Sequence, residues 1–165
     1  MSFAAAMLVA LAIDAALGWP EALFRRVGHP VTWLGRLIAA LDARLNGPDR
    51  AEAARMRAGA ATVTLVVAAA VLPALALQAA LPAGWLGVAL AGLLAWPLLA
   101  ARSLHAHVAA VARPLEAGDL ESARGEVALI VGRDPTQLDA AGLARAALES
   151  LSENASDGVV APLFW

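Results

Sequence analysis

Between Arg57 and Arg102 the chain carries no charged side chain for 44 residues. As one helix at 1.5 Å per residue this interval would reach about 66 Å, far more than the ~30 Å hydrocarbon core of a bilayer. Two spans joined by a tight turn fit both lengths. Leu81-Pro82-Ala83-Gly84-Trp85 supplies proline and glycine for the turn and a tryptophan suited to the membrane interface. The interval therefore predicts a helical hairpin of 59–81 and 85–101. Pro73 and Pro97 fall inside it, where neighbouring helices tolerate a kink.

Arginines set the expected orientation. Arg44, Arg50, Arg55 and Arg57 precede the hairpin, Arg102 follows it, and its turn is uncharged, so both flanks are expected to be cytoplasmic. Phe3 to Leu17 is a third apolar run of marginal length, and another begins at Val159. The expected organisation is a first membrane helix over 1–18, a cytoplasmic segment over 19–57, the hairpin over 58–101, a cytoplasmic helical region over 102–158, and the start of a further membrane helix over 159–165. The fold class is all-α: a polytopic helical membrane protein with cytoplasmic helical segments.

Composition agrees and excludes several chemistries. Hydrophobic residues make up 61% of the 165, and the mean hydropathy is +0.69, whereas soluble domains are about 45–50% apolar. A net charge of −2 gives nucleic acid nothing to bind. Every basic residue is arginine, so a phosphate-loop lysine and a Schiff-base lysine are both ruled out within this sequence. There is no cysteine for a disulfide, a thiolate nucleophile or a zinc site. The N-terminus lacks a basic leader region, so its apolar run is expected to remain in the mature protein.

Within 102–158 the pattern predicts three helices: Leu104 to Leu115, a second capped by Asp119 and running to about Val131, and a third to about Asn154. Gly132-Arg133-Asp134-Pro135 interrupts the last two, and Thr136-Gln137-Leu138-Asp139 resembles a capping box that opens the third. On that helix Glu149 and Glu153 stand four apart, one turn along one face, with Asp157 expected near the same face and Asn154 beside it. These groups suit Mg²⁺ ligation or a general base. The same residues also suit a solvated face on which Arg145 pairs with Glu149 while Ser156 and Asp157 cap a following helix.

Asp14 closes the first apolar run, where an ionisable group is costly and marks either function or contact with interfacial water. His29-Pro30-Val31-Thr32-Trp33-Leu34-Gly35-Arg36 joins a histidine, a rigid turn and a guanidinium. Arg36 and Arg133 are each able to grip a phosphate bidentately or to pair with a local acid, such as Asp134 for Arg133. His105 and His107, two apart on a helix, face different directions and define no metal site.

Taken in order, five pieces resemble the CbiB/CobD family of cobalamin biosynthesis, the adenosylcobinamide-phosphate synthases: Asp14 with Gly18 and Pro20, "HPVTWLGRLI", "RPLEAGDLESAR", "IVGRD" and "SENASDGVVAPLFW". Two positions depart from the family pattern. Trp19 stands where an aspartate is usual, and Pro135 where a threonine is usual. Family members are about twice as long, so the chain is expected to be a fragment whose final apolar helix continues.

The resemblance implies amide-bond formation between adenosylcobyric acid and aminopropanol or its O-phosphate, using ATP and Mg²⁺. It implies catalytic roles for Glu153, Asp157, Glu149 and His29, and substrate or phosphate binding by Arg36, Arg133, Asp134 and Asn154. Mg²⁺ would fall to Glu153 and Asp157. Asp14 is carried over as an intramembrane polar residue. A multi-pass place in a bacterial inner membrane follows, with lipid, the corrinoid, other enzymes of the pathway and a second copy of the chain as expected partners. Two alternatives stay open at this point: a sensor or regulator resembling AmpE, and a helical membrane scaffold or transporter subunit with Asp14 on its pathway.

Overall fold

A computed structural model describes residues 2–47, 50–132 and 134–164, and among these residues it contains helices and no strand. The helices are α1 (Phe3–Leu17), α2 (Glu21–Val27), α3 (Pro30–Leu45), α4 (Glu52–Ala80), α5 (Trp85–Ala95), α6 (Ala101–Glu116), α7 (Leu120–Ala128), α8 (Ala140–Ala155) and α9 (Ala161–Phe164). They fall into two compact units, Pro20–Ala91 and Ser2–Trp19 with the chain from Gly92 onward.

In the first unit α3 and α4 pack together. Pro30 occupies the first turn of α3, where its missing N–H costs nothing. His29 caps that helix: its Nδ1 accepts from the Val31 N–H at 3.3 Å, and Thr32 Oγ1 donates to the His29 carbonyl at 2.7 Å. At the other end the Arg55 guanidinium, in the first turn of α4, donates to Asn46 Oδ1 at 3.3 Å.

α4 begins at Glu52, not near 59 as the charge gap suggested. Glu52-Ala-Ala-Arg-Met-Arg57 are all strong helix formers, so the helix extends past the apolar stretch into its charged flank. It continues through Pro73. No residue of α4 is buried, and a helix that is apolar on all sides needs lipid or further protein around it.

The second predicted span also differs. α5 stops at Ala95, a 3₁₀ turn covers Trp96–Leu98, and α6 starts afresh at Ala101. Pro97 explains the break, because it has no N–H for the Leu93 carbonyl and its ring crowds that oxygen. Among the described residues, Glu52–Ala80, and Trp85–Glu116 taken through this break, are long and apolar enough to cross a membrane. α1, at 15 residues, is about 22 Å long and by itself falls short of a span.

In the second unit Ala6, Ala10 and Asp14 form the buried stripe of α1. Small residues let the next segment approach closely: a Cβ on Gly92 would lie 2.6 Å from Val9 Cβ and 2.8 Å from the Ala6 carbonyl oxygen. Farther along, Trp96 Nε1 donates to the Gly18 carbonyl at 3.0 Å, and the Trp19 and Trp96 rings meet with centroids 5.2 Å apart. The segment from Gly92 to Trp96 therefore runs in the same direction as α1.

α6, α7 and α8 enclose a core of Val111, Ala123, Val127, Leu143, Ala146 and Ala147. Asp119 caps α7 as expected, accepting from the Ser122 N–H at 3.0 Å and the Ser122 hydroxyl at 2.6 Å. The third helix does not open at Thr136. Asp134 Oδ1 takes the Thr136 N–H at 2.9 Å in a turn, and the cap of α8 is Asp139, which accepts from Gly142 N–H at 2.7 Å. A short acid-plus-proline turn outcompetes the threonine capping box here. Arg124 then ties α7 to the α8 entry through the Leu138 carbonyl.

Candidate functional site

Ala146, Glu149, Ser150 and Glu153 recur at the i, i+3, i+4, i+7 spacing of one helix face. With Ile130, Val131 and Gly132 they line an open groove of about 210 Å³. Ser150 holds the two walls together. It is 6% exposed, and its Oγ donates to the Ile130 carbonyl at 2.6 Å. Asn154 continues this arrangement, with Nδ2 donating to the Ser150 carbonyl at 2.8 Å and to Ser150 Oγ at 3.0 Å. That leaves Oδ1 as the remaining ligand atom of the amide. Two sequence pieces about twenty residues apart, Ile130–Gly132 and Glu149–Asn154, are thus brought to one groove by a serine that the sequence did not single out.

Asp157 lies in a wider turn that follows α8. It is not among the residues that line the groove; α8 runs into a π turn over Ser156–Val160, in which the Ala161 N–H bonds the Ser156 carbonyl five residues back. Pro162 accounts for the wide turn: it has no N–H for Gly158, four residues earlier, and its ring would strike that carbonyl. The helix passes through this turn into α9, so Ser156 and Asp157 cap no new helix. The freed Gly158 carbonyl accepts instead from the Ala100 N–H at 3.0 Å, just before α6.

The start of α6 also receives Asp14. The carboxylate is 2% exposed, and its Oδ2 accepts from the Arg102 backbone N–H at 3.0 Å. The Arg102 guanidinium in turn donates to the carbonyls of Ala15 and Ala16 at 2.8 and 3.2 Å. Asp14 is therefore held in a protein junction. Arg102, read from the sequence only as an orientation signal, is part of the same junction.

The remaining candidates lie elsewhere. Arg36 is exposed on α3, and His29 uses Nδ1 for the helix cap, so the neutral ring carries its proton on Nε2. Both belong to the first unit, while the acidic residues belong to the second. Asp134 is engaged by Thr136, whose N–H and hydroxyl hold its carboxyl below the usual range. Arg133 and Trp165 lie outside the described residues. His105 lines a separate groove between α6 and the π turn, while His107 Nδ1 meets the Ser103 carbonyl at 2.8 Å.

Among the described residues no group of three or more His, Asp or Glu is placed to hold a metal ion. Paired carboxylates fit Mg²⁺ in its common mode, in which one or two carboxylates hold it and waters and substrate phosphates complete the shell.

Fold and site together define a helical protein with segments long and apolar enough to span a membrane and an acidic groove between α8 and the link that precedes it. The chain belongs to the CobD/CbiB family: the model described as "CobD/Cbib protein" matches residues 7–165. A Rhodobacter capsulatus protein named "Cobalamin biosynthesis protein CobD" is 60% identical over 165 residues, all of this chain and 52% of that protein. Proteins of the same name from a Sinorhizobium species and from Brucella suis are 44% and 40% identical, covering 96% and 95% of this chain and 50% and 48% of their own length. The chain thus spans about half the length of the curated relatives it matches. No solved structure matches it.

Proposed function

We propose that the protein works in cobalamin biosynthesis as a multi-pass enzyme of the bacterial inner membrane, joining adenosylcobyric acid to aminopropanol or its O-phosphate. The observation that carries this reading is the Ser150–Ile130 hydrogen bond, which sets the paired carboxylates of α8 against the Gly132 turn in a chain of the CobD/CbiB family. A carboxylate resists amine attack until activated. ATP would transfer its phosphoryl group to the corrinoid carboxylate, and the amine would then displace phosphate and form the amide. Each side chain is assigned a task. Glu149, on the groove wall, accepts the proton shed by the attacking ammonium. Glu153, at the end of the groove nearest the π turn, and Asp157, within that turn, would be the Mg²⁺ ligands, and Asn154 Oδ1 would bind substrate. Mg²⁺ would supply charge neutralisation at the phosphates. From the family resemblance alone, Arg36 and Arg133 are the guanidiniums assigned to phosphate, with Asp134 next to Arg133 in the sequence.

The test uses the complete protein in membranes with adenosylcobyric acid, aminopropanol phosphate, ATP and Mg²⁺, followed by mass spectrometry of the amide. Product that depends on both ATP and Mg²⁺ supports the reading. Absence of product, with aminopropanol also supplied and an active family member run alongside, would favour a regulator of the AmpE kind.

A further inference from the structure

We infer that Asp14 is a positioning residue, which acts through the start of α6 to hold the acidic π turn in register with α1. The two ends of this link are separate hydrogen bonds to one short segment. Asp14 Oδ2 takes the Arg102 N–H, and the Gly158 carbonyl takes the Ala100 N–H, both at 3.0 Å. Ala100 contributes no side-chain cap to α6, so the carboxylate of α1 supplies it. The first N–H groups of a helix have no partner within it, and the two donors here are satisfied by α1 and by the π turn.

The junction is tightly fitted on both sides. A Cβ on Gly158 would lie 3.3 Å from Ala100 Cβ, so the turn rests directly on the segment that Asp14 fixes. Glu153 and Asp157 flank the start of that turn. Loss of the Asp14 acceptor releases Arg102, then Ala100, then the Gly158 carbonyl, which has no N–H from Pro162 to return to. The acidic residues then lose their fixed placement although none of them has changed. The carboxylate serves as a hydrogen-bond acceptor, so an amide with one acceptor oxygen should replace it. The effect on activity rests on the function proposed above, while the effect on geometry does not.

The experiment uses the complete protein in lipid nanodiscs, spin-labelled at Leu8 on α1 and Val160 in the π turn, which are 67% and 61% exposed. Inter-label distance distributions and amide formation are measured for wild type, Asp14→Asn and Asp14→Leu. Asp14→Asn is expected to keep a narrow distribution and activity within about threefold of wild type, and Asp14→Leu to broaden the distribution and lose about tenfold or more, the scale of one buried hydrogen bond. Gly158→Ala is expected to broaden the same distribution with Asp14 intact, which keeps the idea testable if Asp14→Leu does not insert. An unchanged distribution in both Asp14→Leu and Gly158→Ala would overturn the inference. So would an Asp14→Asn variant that is inactive with its geometry intact, since the charge itself would then be required. If wild type forms no amide but the distances respond as described, the positioning role stands and the proposed reaction fails.

Discussion

Asp14 and Arg102 cap each other's helices: the carboxylate takes the Arg102 N–H at the start of α6, and the guanidinium takes the Ala15 and Ala16 carbonyls at the end of α1. Each residue satisfies backbone groups that its partner's helix leaves open. The two bonds differ in burial, and this sets their relative weight. Asp14→Ala should cost about 1–2 kcal/mol as a lost N-cap, with Arg102→Ala costing less, about 0.5–1 kcal/mol, because the guanidinium is exposed. Thermal unfolding of the complete protein in detergent measures both. The double variant should fall short of the sum, since both changes open one junction.

Gly92→Val should destabilise the contact with α1 by about 1–3 kcal/mol through overpacking, because the added Cβ meets Val9 and the Ala6 carbonyl. Gly59→Ala in α4 is the matched control. Nothing lies within 4 Å of its added methyl, so it should be neutral or stabilising by up to about 1 kcal/mol. Melting temperature and protease resistance in membranes distinguish the two.

Ser150→Ala removes the bond to the Ile130 carbonyl and one of the two bonds that orient Asn154. The stranded carbonyl makes this cost about 1–3 kcal/mol. Amide formation should fall further than stability predicts, because the groove loses the tie between its walls. Ser150→Thr, which keeps the hydroxyl, should recover part of the activity if the added methyl is accommodated.

Acid should weaken the cap of α7. The Ser122 hydroxyl, and after it the Ser122 N–H, hold the Asp119 carboxyl below its ordinary value. A carboxyl with a depressed folded value contributes stability above its unfolded pKa, near about 3.9, and loses that contribution as pH falls through the folded value. The difference in melting temperature between wild type and Asp119→Ala should therefore be full at pH 6 and shrink below about pH 4. A difference constant across that range would contradict the assignment.

What the sequence made legible was local. The charge gap marked an apolar stretch because 44 uncharged residues leave few alternatives to lipid. Asp119 was readable as a cap because its partner Ser122 is three residues away, and the Glu149–Glu153 pair because one helical turn separates them. Asp14 was visible as costly, but its partner lies 88 residues away, so its role was not. Pro162 was in view too. Its effect on the backbone after α8 depends on a π turn whose freed carbonyl is taken up by Ala100, a contact no spacing rule contains. Ser150 carried no signal, since a serine on a helix is ordinary until a carbonyl from another element meets it.

The most direct measurement of the central claim is amide formation by the complete protein carrying Glu153→Ala or Asp157→Ala, each verified for membrane insertion, beside wild type. The account predicts product from wild type and a loss of about a hundredfold or more in each variant, the usual scale for removing a group that acts in the reaction. Wild-type rates from well-inserted variants would contradict it.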